Sequence, residues 1–192
     1  MYEVELKVPA DLKRVRDRLE ALEATPRGGV VQVDTYYDAP HRSFPETDEA
    51  LRIRSERPAP DGSVDQHGDG QTRITYKGPL VDEESKTREE VETEVGDDEK
   101  MDDVLTNLGF EPAATVRKVR DRFTVDGTNG YVLTVTLDRV DEVGEYVEVE
   151  TEVERESDLE SARTAAAAVL AELDLDPDEQ IQTSYLGLLL GA

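Results

Sequence analysis

Eight stretches of this chain alternate apolar and charged residues with a period of two, and no other feature constrains its fold as much. The opening segment, MYEVELKV, sets Val4, Leu6 and Val8 on one side and Glu3, Glu5 and Lys7 on the other. A strand can bury the first set against helices, but the second must then be housed on the opposite face of the sheet. The pattern runs through 2–8, 30–38, 50–57, 71–78, 86–95, 115–125, 131–139 and 145–154. Helical periodicity is confined to 11–24 with Asp11 as N-cap, 98–108 stopped by Gly109, 158–173, and a short stretch at 180–190. A strand, a helix and further strands thus follow one another twice, over 2–57 and 86–154. The expected fold is α+β: an eight-stranded antiparallel β-barrel, closed so that no edge is exposed, with the helices packed outside on the apolar faces. The charged faces then point inward. The chain reads as one domain over 1–192, and the turn-rich stretch 57–71 (RPAPDGSVDQHGDGQ) as a mobile insertion between two strands.

Collected from all the strands, the charged face holds the bases Lys7, Arg52, Arg54, Lys77, Arg88, Lys118 and Arg120. It also holds the acids Glu3, Glu5, Asp138, Glu148 and Glu150, with Glu90 and Glu92 beside them. A merely solvated sheet face would alternate in the same way. Two features argue against that. The chain has 46 acids against 22 bases and only six lysines, yet three of those lysines lie on this face. The charges also sort by sign. Arg52/Arg54 and Lys118/Arg120 are basic pairs, and Glu3/Glu5 and Glu148/Glu150 are acidic ones, each spaced about 7 Å along a strand. Like charges in a confined space repel unless counter-ions are bound. Arginine pairs suit a polyphosphate, and carboxylate pairs suit hard divalent cations such as Mg²⁺ or Mn²⁺. A metal-bound polyphosphate satisfies both.

Composition narrows the setting. The net charge of −24 is spread over every segment, and with lysine scarce this fits a cytosolic protein of a high-salt organism. No basic surface is left for nucleic acid. No apolar run is long enough to span a membrane and the N-terminus reads directly as a strand, so a cytoplasmic location without membrane or signal peptide is expected. The absence of cysteine excludes disulfides and thiolate metal sites, and two histidines, His41 and His67, read as solvated surface. The oligomeric state stays open, a homodimer included.

The segment EVELK (3–7) resembles the ExExK signature of the CYTH superfamily, the triphosphate tunnel metalloenzymes. The resemblance continues in order through DTYYD (34–38), TDEALRIR (47–54), TYKGP (75–79), KTREEVETEV (86–95), KVRDRF (118–123), LDRV (137–140) and GEYVEVE (144–150). Within the superfamily, DTYYDAPHRSFPETDEALRIR followed by TYKGP is most similar to the class IV adenylate cyclase (CyaB-like) branch. The resemblance implies a tunnel that holds ATP, thiamine triphosphate or tripolyphosphate together with Mg²⁺ or Mn²⁺. It implies metal binding by Glu3, Glu5, Asp138, Glu148 and Glu150, and phosphate binding by Lys7, Arg52, Arg54, Lys77, Arg88, Lys118 and Arg120. Glu90 and Glu92 match acids that either bind metal or orient the bases. Lys7, Lys77 or a metal-bound hydroxide could serve as the general base. The implied reaction is conversion of ATP to cyclic AMP and pyrophosphate, with an inorganic or organic triphosphatase as the alternative and a non-catalytic binder as a third reading. Tyr36 and Asp38 fall in a family motif, where a structural reading weighs equally. SYLGLLL resembles the closing helix, its leucines read as packing.

Overall fold

A computed structural model of the chain describes residues 2–59, 70–80 and 87–191. Its strands are β1 (Tyr2–Pro9), β2 (Thr25–Asp38), β3 (Ala50–Pro58), β4 (Gln71–Leu80), β5 (Arg88–Val95), β6 (Glu111–Asp126), β7 (Val132–Val140) and β8 (Gly144–Val153). They close into a barrel in the order β1-β5-β4-β3-β2-β6-β7-β8, antiparallel between neighbours, as the alternation requires. The helices are α1 (Leu12–Ala21), α2 (Phe44–Thr47), α3 (Asp98–Asn107), α4 (Leu159–Glu172) and α5 (Tyr185–Leu190). Of the segment expected to be mobile, 57–71, the ends belong to β3 and β4, and 60–69 lie outside the described residues.

The two strand–helix–strands runs build the barrel by exchange. With β4 added to the first run, each supplies a three-strand meander, and the lone first strand of each pairs with the meander of the other: β1 with β8, β5 with β4. The long strands β2 and β6 pair along most of their length as a spine. Among the described residues, the opposite seam, β1 to β5, is held only at Tyr2–Glu89 and Glu3–Arg88. β2 starts at Thr25 and β6 at Glu111, earlier than alternation indicates. TPRGG and EPAA have no strand pattern of their own. Each pairs with the well-patterned end of the other strand, across register shifts, so tertiary pairing overrides propensity there.

The main core lies between the outer face of the barrel and two helices. Leu6 and Val8 of β1, Leu133, Val135 and Leu137 of β7, and Val147 and Val149 of β8 pack against Leu12, Val15 and Leu19 of α1. Ala165, Ala166, Val169 and Leu170 of α4 complete this cluster, and the alanines let that helix lie close on the sheet. On the far side Leu105 of α3 covers Tyr37 and Ile53. Asp11 caps α1 by accepting from the amides of Lys13 and Arg14. Gly109 ends α3 at φ +94°, a left-handed conformation that favours glycine. The helix α2 carries no periodic signal. The Asp38 carboxylate fixes it by accepting from the amides of Ala39 and Phe44, both at 2.9 Å, which supports the structural reading of that residue. No helix among the described residues is long and apolar enough to cross a membrane.

Candidate active site

The alternation that buries Leu6 and Val149 under helices turns the other half of each strand into the barrel. The result is a cavity of about 980 Å³. Glu3, Glu5, Arg52, Arg54, Lys77 and Arg88 line it, as do Glu90, Glu92, Lys118, Arg120, Glu148 and Glu150. Two expected residues, Lys7 and Asp138, stand behind the lining, each with no exposed surface.

Strand order sorts these side chains by sign. β5, β1 and β8 are adjacent, so Glu90 and Glu92, Glu3 and Glu5, and Glu148 and Glu150 form one acidic wall. β3, β2 and β6 are adjacent across the barrel, and Arg52, Arg54, Lys118 and Arg120 form a basic wall. β4 and β7 lie between the two walls.

On the basic wall the cations are gripped from behind. Arg54 donates Nε and Nη2 to the two oxygens of Asp34, both at 2.7 Å, and Arg52 Nη1 lies 3.5 Å from Asp34 Oδ2. Burial opposes the charge on Asp34, yet Arg54 and Arg52 outweigh it and hold the carboxyl well below the usual range. Arg120 makes the matching fork to Asp138, with Nε to Oδ1 at 2.6 Å, and also reaches Glu148. Burial and the adjacent Arg120 push the Lys118 ammonium down to about 8, against the pull of Asp138 at 3.8 Å. Arg52 Nε is buried with no hydrogen-bond partner among the described residues. An anion in the cavity would supply one, so the residues fit such a ligand.

The acidic wall is arranged otherwise. Glu5 and Glu150 face each other across the β1–β8 pair. Together with Glu148 each offers an oxygen within 4.8 Å of the others, a hard donor set that fits a divalent cation. Burial, then the charge of Glu3, push the Glu150 carboxyl up to about 8 despite Arg120. Asp138 stands outside this trio. Arg120 takes both its oxygens and the Tyr185 hydroxyl donates to Oδ2 at 2.9 Å, so it would have to release that fork to reach a metal.

Lys77 sits at the boundary, with Nζ 3.0 Å from Glu3 and 2.7 Å from Glu90. Glu3 and Glu90 hold it charged against the cost of burial. Glu90 also lies 4.0 Å from Arg52, and Glu92 3.0 Å from Arg73, so both acids contact bases. Arg88 donates Nη1 to the carbonyls of Asp48 and Gly78, tying the start of β3 to the end of β4.

The C-terminal segment closes the barrel beside Lys7. Lys7 Nζ donates to the Thr183 carbonyl at 2.6 Å and lies 4.3 Å from the centre of the Tyr185 ring. Leu186, Leu188 and Leu189 pack on Val116 and Val140 of the barrel, while Leu186 and Leu190 also border the cavity. Tyr36 borders it too. His41 is exposed, and His67 lies outside the described residues.

Sequence reasoning left several interior residues unassigned. Arg73 lines the cavity, paired with Glu92, and so does Arg122, which alternation puts on the face of Lys118 and Arg120 without a role and which pairs with Glu56. Both continue the alternation past Lys77 and Arg120, so the signal was present. Asp34 sits at the head of DTYYD, its role concealed because its partners are on another strand. Tyr185 lies in the SYLGLLL stretch, but its polar contact to Asp138 is with a residue 47 positions away, which no local pattern reveals.

The CYTH domain family model matches residues 1–185. The chain belongs to the CYTH domain family. A protein of Methanocaldococcus jannaschii named "Putative adenylate cyclase" is 34% identical over 189 residues, covering 98% of each sequence. A solved structure from Pyrococcus horikoshii shares 35% identity over 98% of both chains, with a TM-score of 0.86. A Hippeastrum protein, described as a "putative adenylyl cyclase" with "a dominant" triphosphatase activity, shares the fold at 15% identity and a TM-score of 0.63, over 99% of this chain and 95% of its own. The CYTH barrel of this chain thus combines an acidic and a basic wall around one cavity.

Proposed function

We propose that this CYTH protein is a divalent-metal-dependent enzyme acting on a triphosphate, and specifically a class IV adenylate cyclase that converts ATP to cyclic AMP and pyrophosphate. One observation carries the reading: paired bases face a trio of carboxylates across a single cavity. Arg52, Arg54, Lys118 and Arg120 hold the phosphates, and their guanidinium forks match phosphoryl oxygens. Glu5, Glu148 and Glu150 hold Mg²⁺ or Mn²⁺, with Glu3 next along β1. When bound, such an ion draws charge from the phosphoryl oxygens and acidifies a coordinated hydroxyl or water.

In the cyclase reaction the ribose 3′-oxygen bonds to the α-phosphorus while the bond from that phosphorus to the bridging oxygen breaks. Pyrophosphate leaves with the electron pair, and the hydroxyl proton passes to a base. Lys77, held charged by Glu3 and Glu90, suits neutralising the leaving group better than accepting that proton. Lys7, behind the wall, anchors the C-terminal segment through Thr183. Glu90 and Glu92 orient Lys77, Arg52 and Arg73. A second reading, a triphosphatase in which water attacks the terminal phosphorus, is favoured by the same basic wall, which grips phosphates whatever they are attached to. On either reading, the dispersed acids favour a salt-rich cytoplasm as the setting.

The test is to incubate the protein with ATP and Mg²⁺ or Mn²⁺ in molar KCl and separate the products. Cyclic AMP with pyrophosphate is the expected result. ADP with phosphate, or cleavage of tripolyphosphate with no cyclic product, would establish the triphosphatase. Binding without turnover would leave a sensor of phosphorylated ligands.

A further inference from the structure

Asp34 is the acid of the basic wall that holds both Arg54 and Arg52. It is 1% exposed and does not line the cavity, whereas the two arginines it holds do. Its neighbours on the inner face of β2 are Gln32 and Tyr36, and across β6 it meets Val116, so Arg54 and Arg52 are the cations within ion-pair distance. It also lies outside the Glu5, Glu148, Glu150 group.

A guanidinium has five N–H donors in a rigid plane. Asp34 takes the Nε and one Nη2 donor of Arg54, the edge nearest β2. The Nη1 donors and the second Nη2 donor are not taken by Asp34, and Arg54 borders the cavity. The arrangement has competitors. Glu56 lies two residues along β3 from Arg54, and Glu90 stands 4.0 Å from Arg52 on the far wall. An arginine not held by Asp34 could turn to either acid and present the wrong edge to a phosphate. A long side chain also loses rotamer freedom when an anion fixes it, a cost reduced when the fork is set beforehand.

We propose that Asp34 is the positioning residue of the phosphate site: by clamping Arg54, and Arg52 beside it, it fixes the guanidinium edges presented to a triphosphate. The inference rests on the triphosphate reading above and adds a residue that contacts no substrate itself.

The experiment measures tripolyphosphate affinity by calorimetry, without added metal, for the wild type, Arg54→Gln, Asp34→Asn and the double variant. Melting temperature is recorded for each, and KM and kcat for ATP are measured with metal. Arg54→Gln is expected to weaken tripolyphosphate binding by roughly ten- to a hundredfold, the size of a lost charge-assisted contact. Asp34→Asn should weaken it comparably, add little in the Arg54→Gln background, and raise KM more than it lowers kcat. A role in folding alone would lower the melting temperature but leave the affinity of the folded fraction unchanged, which overturns the proposal. Additive effects of the two substitutions overturn it as well. Should Asp34→Asn fail to fold, Asp34→Glu keeps the charge and displaces the fork by one methylene. It is expected to fold and still bind tripolyphosphate more weakly, and wild-type affinity there counts against positioning. If Arg54→Gln itself binds tripolyphosphate normally, the phosphate-site reading falls, an outcome distinct from failure of Asp34 alone.

Discussion

Across the tunnel, the bases stand on partners and the acids stand against one another. Arg54 rests on Asp34 and Arg120 on Asp138, each through a two-point fork. Glu5 and Glu150 are opposed on neighbouring strands, with Glu148 within 4.8 Å. The difference matches what the proposed function asks each wall to receive. A guanidinium has donors to spare, so a buried carboxylate can fix one edge and leave another for phosphate. A metal needs several oxygens converging on one point, and that convergence can be built only by setting like charges together. Orientation is therefore built into the basic wall, while strain among like charges is kept on the acidic one.

The sharpest way to break this contrast is Glu5→Gln. If the acidic wall holds the metal, metal-dependent turnover should fall on the order of a thousandfold while the barrel stays folded by circular dichroism. Retained turnover would remove Glu5 from the metal site. On the opposite wall, Arg52→Gln should cost about ten- to a hundredfold in KM for the triphosphate, with a smaller change in kcat. A loss confined to kcat would mean that the basic wall acts in the chemical step rather than in binding.

The two walls should also respond oppositely to pH. Glu150 has its folded value raised to about 8, so its neutral form is favoured by folding; that contribution is full below about pH 4 and is lost as pH rises through about 8. Glu56, which burial disfavours but Arg122 holds at about 2, contributes stability at neutral pH that is lost as pH falls below about 4. In chelator, the melting temperature should decline between about pH 6 and 9 by the equivalent of on the order of 1–3 kcal/mol, and Glu150→Gln should flatten that decline. An unchanged slope in the variant would assign it to another group. The smallest effect concerns the exterior. Raising KCl from millimolar to molar should increase the melting temperature by screening repulsion among the 46 acids. Equal stability in dilute buffer would contradict adaptation to salt.

Much of this was legible in the chain because a strand's side chains alternate whatever surrounds them. That rule alone assigned Glu3, Glu5, Arg52, Arg54, Lys118 and Arg120 to one face, and it gave all eight strands to within a few residues, since burying Val4, Leu6 or Val149 depends on local periodicity. It erred at the starts of β2 and β6, where pairing rather than pattern makes the strand, and it gave no sign of α2, which depends on the Asp38 carboxylate. Alternation says which face a side chain takes, but not which strand lies beside it. That Asp34 backs Arg54, that Asp138 is taken by Arg120 and Tyr185, and that the acids gather on β5, β1 and β8 were decided by strand order and by the return of the C-terminal segment. Ion pairs and metal clusters depend on distances of a few ångströms between residues far apart in the chain, and only closure of the barrel sets those distances.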